Sequence, residues 1–173
     1  HSDFGDTVNA ATRGAAAITD GTTGLFVGGG NNFDDEVQQI TIASAANATD
    51  VGTMANTDYQ GTGASNATRG IYKWHQKGYG NRTARIEYAT ISSPNTWADF
   101  GDLRVGSYRV DCTEDSSRVW MVGGFNNSGT ALGSIEYITT ASTADSLAWG
   151  DLGSSAKISF SCAASNNTRA FFM

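Results

Sequence analysis

Three sets of residues recur along this chain at one spacing, and that spacing restricts the folds open to it. Val37-Gln38-Gln39-Ile40-Thr41, Ile86-Glu87-Tyr88-Ala89-Thr90 and Ile135-Glu136-Tyr137-Ile138-Thr139 begin 49 residues apart. Gly5, Gly52, Gly101 and Gly150, each behind an apolar or aromatic residue, follow at steps of 47, 49 and 49. Thr23, Arg69, Arg118 and Arg169 precede apolar runs at steps of 46, 49 and 51. Three independent markers agreeing on one period make the chain a tandem repeat. Each unit carries short apolar runs and apolar/polar alternations punctuated by Gly, Asn and Asp, which are strand and turn signals. No segment carries a 3.6-residue apolar period, so helices are not expected.

A period near 50 residues with four short strands per unit fits a β-propeller blade. A β-sandwich also uses short strands and Gly-rich turns. It leaves one sheet face wet, however, whereas Ile86 and Tyr88 alternate here with Ala89 and Ile91, so both faces of the strand are apolar. The expected architecture is all-β, with four-stranded antiparallel units at about 8–54, 55–103 and 104–152 and partial units at 1–7 and 153–173. Residues 2–7 read as an orphan outer strand. The incomplete unit count marks residues 1–173 as a single repeat domain within a longer polypeptide.

The pattern of an apolar run, a double glycine, a spaced Tyr and a spaced Trp resembles the kelch repeat. The third unit matches it with Val119–Val122, Gly123-Gly124, Tyr137 and Trp149. The first keeps Leu25-Phe26-Val27-Gly28-Gly29-Gly30 but has Gln39 and Val51 at the aromatic positions. The second keeps Tyr88, has Phe100 in place of the Trp and replaces the glycines with Trp74-His75. The resemblance implies a kelch-like β-propeller.

Bulk properties exclude several function classes. A net charge of −6 argues against general nucleic-acid or anionic-membrane binding. No run of 18 apolar residues exists, so no membrane insertion is expected. His1 and His75 are the only histidines, which leaves a Ser/His/Asp triad or a His-rich metal site almost nothing to draw on. Asp34/Asp35 and Glu114/Asp115 are adjacent pairs, not the facing carboxylates that glycoside hydrolysis requires. The acidic stretch Asn31, Asn32, Asp34, Asp35 and Glu36 lacks Ca²⁺-loop spacing and reads as a hydrated loop. No catalytic residue, metal site or cofactor is therefore expected. Cys112 and Cys162, at equivalent repeat positions, read as small buried hydrophobes. The five Asn-x-Ser/Thr sites, at Asn47, Asn66, Asn81, Asn126 and Asn166, follow from an Asn/Thr-rich composition.

The most irregular segment runs from Lys73 to Arg82, in place of the double-glycine turn. Its aromatic residues beside cations fit recognition of sugars or an acidic partner, with Trp74 and Tyr79 stacking and Lys73, Lys77 and Arg82 supplying charge beside His75. The same composition also suits a solvated, variable loop. Arg69, Arg118 and Arg169 read as structural, bonding carbonyls or Asp side chains, with Asp102 and Asp151 as possible partners.

The units also resemble tandem repeats in tail and other virion proteins of bacteriophages, notably those of marine cyanobacteria. The matching elements are Ile86–Ile91, Asp99–Leu103 and Thr68-Arg69-Gly70, with departures at Thr168-Arg169-Ala170 and Ser117-Arg118-Val119. That resemblance implies a non-catalytic virion protein, either a tail fibre/adhesin or a tail or decoration component. Its partners would be other virion subunits or a host-surface glycan or protein, in a homo-oligomer or larger assembly. The alternative is a cellular kelch-like scaffold or adhesion module that binds a protein or glycan.

Overall fold

The computed structural model describes residues 3–8, 14–29, 34–58, 60–75, 82–153, 162–166 and 168–173. Among these residues there is no helix, and the strands form three four-stranded antiparallel sheets in simple sequence order. The first comprises β1 (Ala16–Thr19), β2 (Thr23–Gly29), β3 (Asp34–Thr41) and β4 (Thr49–Asp58). The second comprises β5 (Thr62–Ser65), β6 (Arg69–Lys73), β7 (Arg85–Thr90) and β8 (Ser93–Asp102). A short strand β9 (Ser107–Tyr108) precedes the third sheet, which comprises β10 (Asp111–Glu114), β11 (Arg118–Val122), β13 (Ser134–Thr139) and β14 (Leu147–Asp151). Between β11 and β13, β12 (Phe125–Asn126) pairs back with β9. A two-stranded sheet of β15 (Ala163–Ser165) and β16 (Ala170–Phe172) follows.

The sheets stack in series, with the first strand of each beside the first strand of the next: β1 by β5, β5 by β10, β10 by β15. The strands at these junctions are joined by hydroxyls rather than by ladder bonds. Ser65 Oγ donates to Thr19 O (2.8 Å) and accepts from Thr19 N–H (3.0 Å). Ser165 repeats the role two junctions on, accepting from Thr113 Oγ1 (2.9 Å) and donating to Glu114 O. The middle sheet consequently buries both faces. On one, Tyr72, Trp74, Ala89, Ile91 and Trp97 pack with Ile18, Leu25, Val27 and Met54 of the first sheet. On the other, Ile71, Ile86, Phe100 and Leu103 pack with Val110, Val119, Met121 and Ile138 of the third. This arrangement accounts for the apolar residues at successive positions of β6 and β7, a pattern that a half-wet sheet would not tolerate.

Local sequence sets the hairpins. Between the first and second strand of every unit an Asp or Asn closes the same turn. Asp20 Oδ1 accepts from Thr22 N–H, Thr22 Oγ1 and Thr23 N–H. Asn66 accepts from Thr68 and Arg69 in the same way, Asp115 from Ser117 and Arg118, and Asn166 from Thr168 and Arg169. Two of the five glycosylation-type triplets, those at Asn66 and Asn166, are therefore turn chemistry: a side-chain carbonyl mimics a backbone turn and the hydroxyl two residues on locks it. The N–H donors hold Asp20 below the usual carboxylate range. Burial pushes Asp115 up, but the Ser117 and Arg118 amides and the Trp120 indole outweigh it and leave that carboxyl lowered too.

Several expectations from the sequence are revised. Residues 3–8 do not form a ladder strand; they run as an extended segment against Asn47 and Ala48. Pro94 is the second residue of β8, and its carbonyl accepts the Trp97 indole N–H at 2.9 Å. Asp34, Asp35 and Glu36 open β3 instead of lying in a loop, while Asn31 and Asn32 fall outside the described residues. Cys112 is buried, with its thiol pushed up to about 12 by burial, but Cys162 is exposed. The position of Cys162 just ahead of β15 leaves it uncovered, so only one of the two behaves as a core hydrophobe.

The glycine behind a recurrent apolar or aromatic residue marks the junction between units. Gly5, Gly52 and Gly101 share one unusual backbone, with φ of 142°, 139° and 144°. A Cβ on Gly101 would sit 2.5 Å from Ala144 O and 2.8 Å from Asp145 N, and one on Gly5 would crowd Ala46 and lie 2.8 Å from Asn47 N. The next residue then bonds across. Asp6 N–H donates to Asn47 Oδ1 (3.0 Å) and Asp6 O accepts from Ala48 N–H (2.8 Å). Asp102 N–H donates to Asp145 Oδ1 (3.0 Å) and Asp102 O accepts from Ser146 N–H (2.9 Å). Gly101→Val should therefore destabilise the chain by at least about 3 kcal/mol through backbone strain plus a clash against main-chain atoms. Gly150→Val, whose Cβ would meet nothing within 4 Å, should change stability by under about 1 kcal/mol. Urea unfolding of the two variants checks the contrast.

Candidate functional site

The basic-aromatic segment folds inward at its start. Lys73, the last residue of β6, is completely buried, and its ammonium donates to Thr83 O (2.8 Å), Ser107 O (2.6 Å) and Trp74 O. Three donors meet three carbonyls, so the cation ties together the chain after β6, the chain before β7 and β9. Trp74 is buried at the end of the same run, edge-on to Tyr72 at 5.9 Å, and its indole N–H faces the Glu87 carboxylate. Burial raises the Glu87 carboxyl above its ordinary range, opposed by Arg85, whose Nε and Nη2 lie 2.7 and 2.6 Å from Glu87 Oε1. Lys73, Trp74 and His75 are thus buried side chains rather than an exposed cationic and aromatic surface. Lys77 and Tyr79 lie outside the described residues. Arg82 is half-buried, stacked over the Tyr108 ring at 4.2 Å, and donates through Nη1 to Asn127 O at 2.9 Å.

A second group of residues gathers where the first strands begin. Gly14, Gln60 and Arg109 precede β1, β5 and β10, and all three adopt left-handed backbone with φ of 73°, 64° and 58°. Holding a residue with a side chain there costs on the order of 1–2 kcal/mol, and two successive units accept that cost at the same repeat position. A cavity of about 240 Å³ opens at this end, lined by Gly14, Gln60, Thr62, His75, Arg109 and Val110. His75 Nδ1 accepts the Arg109 backbone N–H (3.3 Å). Burial first, and the Lys73 charge second, hold His75 well below its ordinary range, so the imidazole is neutral at pH 7. The opposite end of the first strands carries the Asx turns, and a cavity of about 380 Å³ there is lined by Asp20, Asn66, Glu114, Asp115 and their neighbours. The two ends therefore differ in charge, with a guanidinium and a carboxamide at one and carboxylates at the other. Sequence reasoning passed over Gln60 and Arg109; their 49-residue spacing ahead of the first strand was the available signal.

The residue between the apolar and aromatic members of each Ile-Glu-Tyr-type motif is also functional in the structural sense. Gln38, Glu87 and Glu136 are all buried. Gln38 Oε1 accepts Val8 N–H (2.9 Å), and Glu136 Oε2 accepts Arg104 N–H (3.1 Å) and the Ser146 hydroxyl (2.5 Å). Each holds the extended segment that leaves the preceding unit. Arg69 bonds the Thr140 carbonyl (2.6 Å) and stacks on Tyr88 at 4.9 Å, and Arg118 stacks on Tyr137 at 4.8 Å. Aromatic faces and a carbonyl, rather than Asp102 or Asp151, are the partners seen for these arginines.

No model of a known protein family matches this chain, and no curated protein does. Among the described residues no cluster of three or more His, Cys, Asp or Glu side chains is placed to hold a metal ion.

Lys73→Met, which strands three carbonyls, should cost about 3 kcal/mol of stability by chemical denaturation. His75 adds a pH dependence of definite sign. Its folded pKa lies below the unfolded value near 6.5, so its contribution is complete above about pH 6.5 and drains away as pH falls, with a slope of at most about 1.4 kcal/mol per pH unit. His75→Asn keeps an acceptor without that titration and should flatten denaturation midpoints measured between about pH 6.5 and 5.

Proposed function

We propose that this chain is a non-catalytic assembly and recognition module of kelch-like propeller type, working in the exterior of a bacteriophage particle as a tail fibre/adhesin or as a tail or decoration component. The observation that carries the reading is the junction between units. One backbone conformation and one set of cross-bonds recur at Gly5–Asp6 and Gly101–Asp102, so neighbouring sheets are built to be covered by more of the same. The polar side chains that could serve chemistry are spent on architecture: Glu136 caps Arg104 N–H, Glu87 is held by Arg85 and Lys73 binds carbonyls. A rigid tandem stack of this sort suits a load-carrying or surface-displayed role, with other virion subunits or a host-surface glycan or protein as partner.

One observation favours the second reading, a cellular kelch-like scaffold or adhesion module. The cavity at Gln60 and Arg109, with its two left-handed non-glycine residues, is the kind of strained, polar mouth at which a partner is received. Quantitative mass spectrometry of density-purified particles separates the two. The chain at fixed stoichiometry to the major tail or shell subunit supports the virion role, and its recovery only from cell extract supports the scaffold.

A further inference from the structure

Gln38, Glu87 and Glu136 are buried at one repeat position, yet only two of them are satisfied in the same way. Gln38 Oε1 accepts Val8 N–H and Glu136 Oε2 accepts Arg104 N–H, from the residues three places after the junction glycines Gly5 and Gly101. The Ser146 hydroxyl adds a second donor to Glu136 Oε2. By the same count Glu87 would receive Ala55 N–H, three places after Gly52. It does not. The fourth strand of the first unit stays in its sheet as far as Asp58, which pairs with Asp34, whereas β8 and β14 end at Asp102 and Asp151. The counterpart of Ser146 is Trp97, whose indole N–H is committed to Pro94 O. Glu87 is fully buried with Arg85 on Oε1, and among the described residues nothing donates to its Oε2. The Trp74 indole N–H faces this carboxylate but has no acceptor in hydrogen-bond geometry.

Trp74, Arg85 and Asp99, the cross-strand partner of Glu87, also line a cavity of about 260 Å³, with Asn56, Thr83 and Asp102. It lies at the junction of the first two units, between Asn56 of β4 and the second sheet. Arg85 is the one cation of this lining and is already paired with Glu87. Asp99 and Asp102 are exposed and form no ion pair among the described residues, and the Asp99 charge opposes ionisation of Glu87. We propose that this cavity binds a guanidinium or primary ammonium group, carried by a small ligand or by a basic side chain of a partner. The two aspartates and the Asn56 amide oxygen are acceptors, and a planar fork or a tripod of N–H donors is the group that uses several acceptors at once. A cation placed among the carboxylates of Asp99, Asp102 and Glu87 offsets their mutual repulsion, and an anion would add to it. In the first and third units an incoming amide serves the buried acceptor, so the second unit differs from both at this position. The inference goes beyond the assembly reading and does not depend on it.

The test titrates the ¹⁵N-labelled full chain with ethylguanidinium chloride at constant ionic strength and follows the Trp74 indole N–H, identified by its loss in Trp74→Phe. Expected is a saturable shift, half complete at about 1 mM, an affinity within reach of a ligand of about six non-hydrogen atoms. Asp99→Asn/Asp102→Asn should weaken it about tenfold by removing charge-assisted acceptors. Both side chains are exposed, so the variant keeps the fold, which the rest of its spectrum verifies. Asp151→Asn, the counterpart of Asp102 on the third unit, should leave binding unchanged. Propylammonium should act as ethylguanidinium does, and butyrate should not. A capped peptide with one central arginine that binds about tenfold more tightly than ethylguanidinium assigns the cation to a partner's side chain, and equal affinity assigns it to a small free cation. No shift up to about 50 mM overturns the proposal. So does an equal shift with tetramethylammonium, which carries the charge without an N–H and reports only screening of surface carboxylates.

Discussion

A sheet of four short strands with apolar side chains on both faces cannot stand in water alone, and this condition governs the rest of the molecule. The middle sheet meets it by lying between two clusters, one shared with the first sheet through Tyr72, Trp74 and Ile91, the other with the third through Ile71, Ile86 and Phe100. Stability is then largely a property of junctions, as in other quasi-one-dimensional arrays where each repeat is held by its neighbours. On the third sheet, Trp120, Tyr137 and Trp149 pack on one another with ring centroids 4.9 to 6.1 Å apart.

Polar groups are distributed to serve the same condition. Apolar stacking has no direction, so registration between sheets needs hydrogen bonds of fixed geometry. These come from buried side chains whose alternative is an unsatisfied acceptor in the core, the arrangement most sensitive to misplacement. Gln38 and Glu136 fix the segments that leave the preceding unit, Ser65 and Ser165 fix neighbouring first strands, and Lys73 closes the irregular turn where the double glycine is absent. The same economy explains why the start of the basic-aromatic segment is internal: the buried Lys73 ammonium is satisfied by the carbonyls of Trp74, Thr83 and Ser107.

Much of this was legible in the residues. The 49-residue period, the four-strand unit and the double burial of its sheets follow from spacing and alternation, and the junction glycines stood out as a recurrent Gly behind an apolar or aromatic residue. The burial of the polar residue in the Ile-Glu-Tyr alternation was not legible, because a glutamate between two apolar residues is ordinarily solvated. The Asn-x-Thr triplets at Asn66 and Asn166 were read as composition, because a turn cap and a glycosylation site have the same spelling.

By itself, then, the sequence determined the repeat, the strand class and the turn positions, since these depend on contacts a few residues apart and on side-chain period. Tertiary structure decided which polar residues are inside, that Lys73, Trp74 and His75 support the fold, and that Gln60 and Arg109 share one cavity mouth. Those outcomes depend on what the neighbouring sheet, some 49 residues away, presents to each side chain. Linear spacing tells which positions are equivalent and is silent on whether a given one is covered, because burial belongs to the junction between two units and not to either alone.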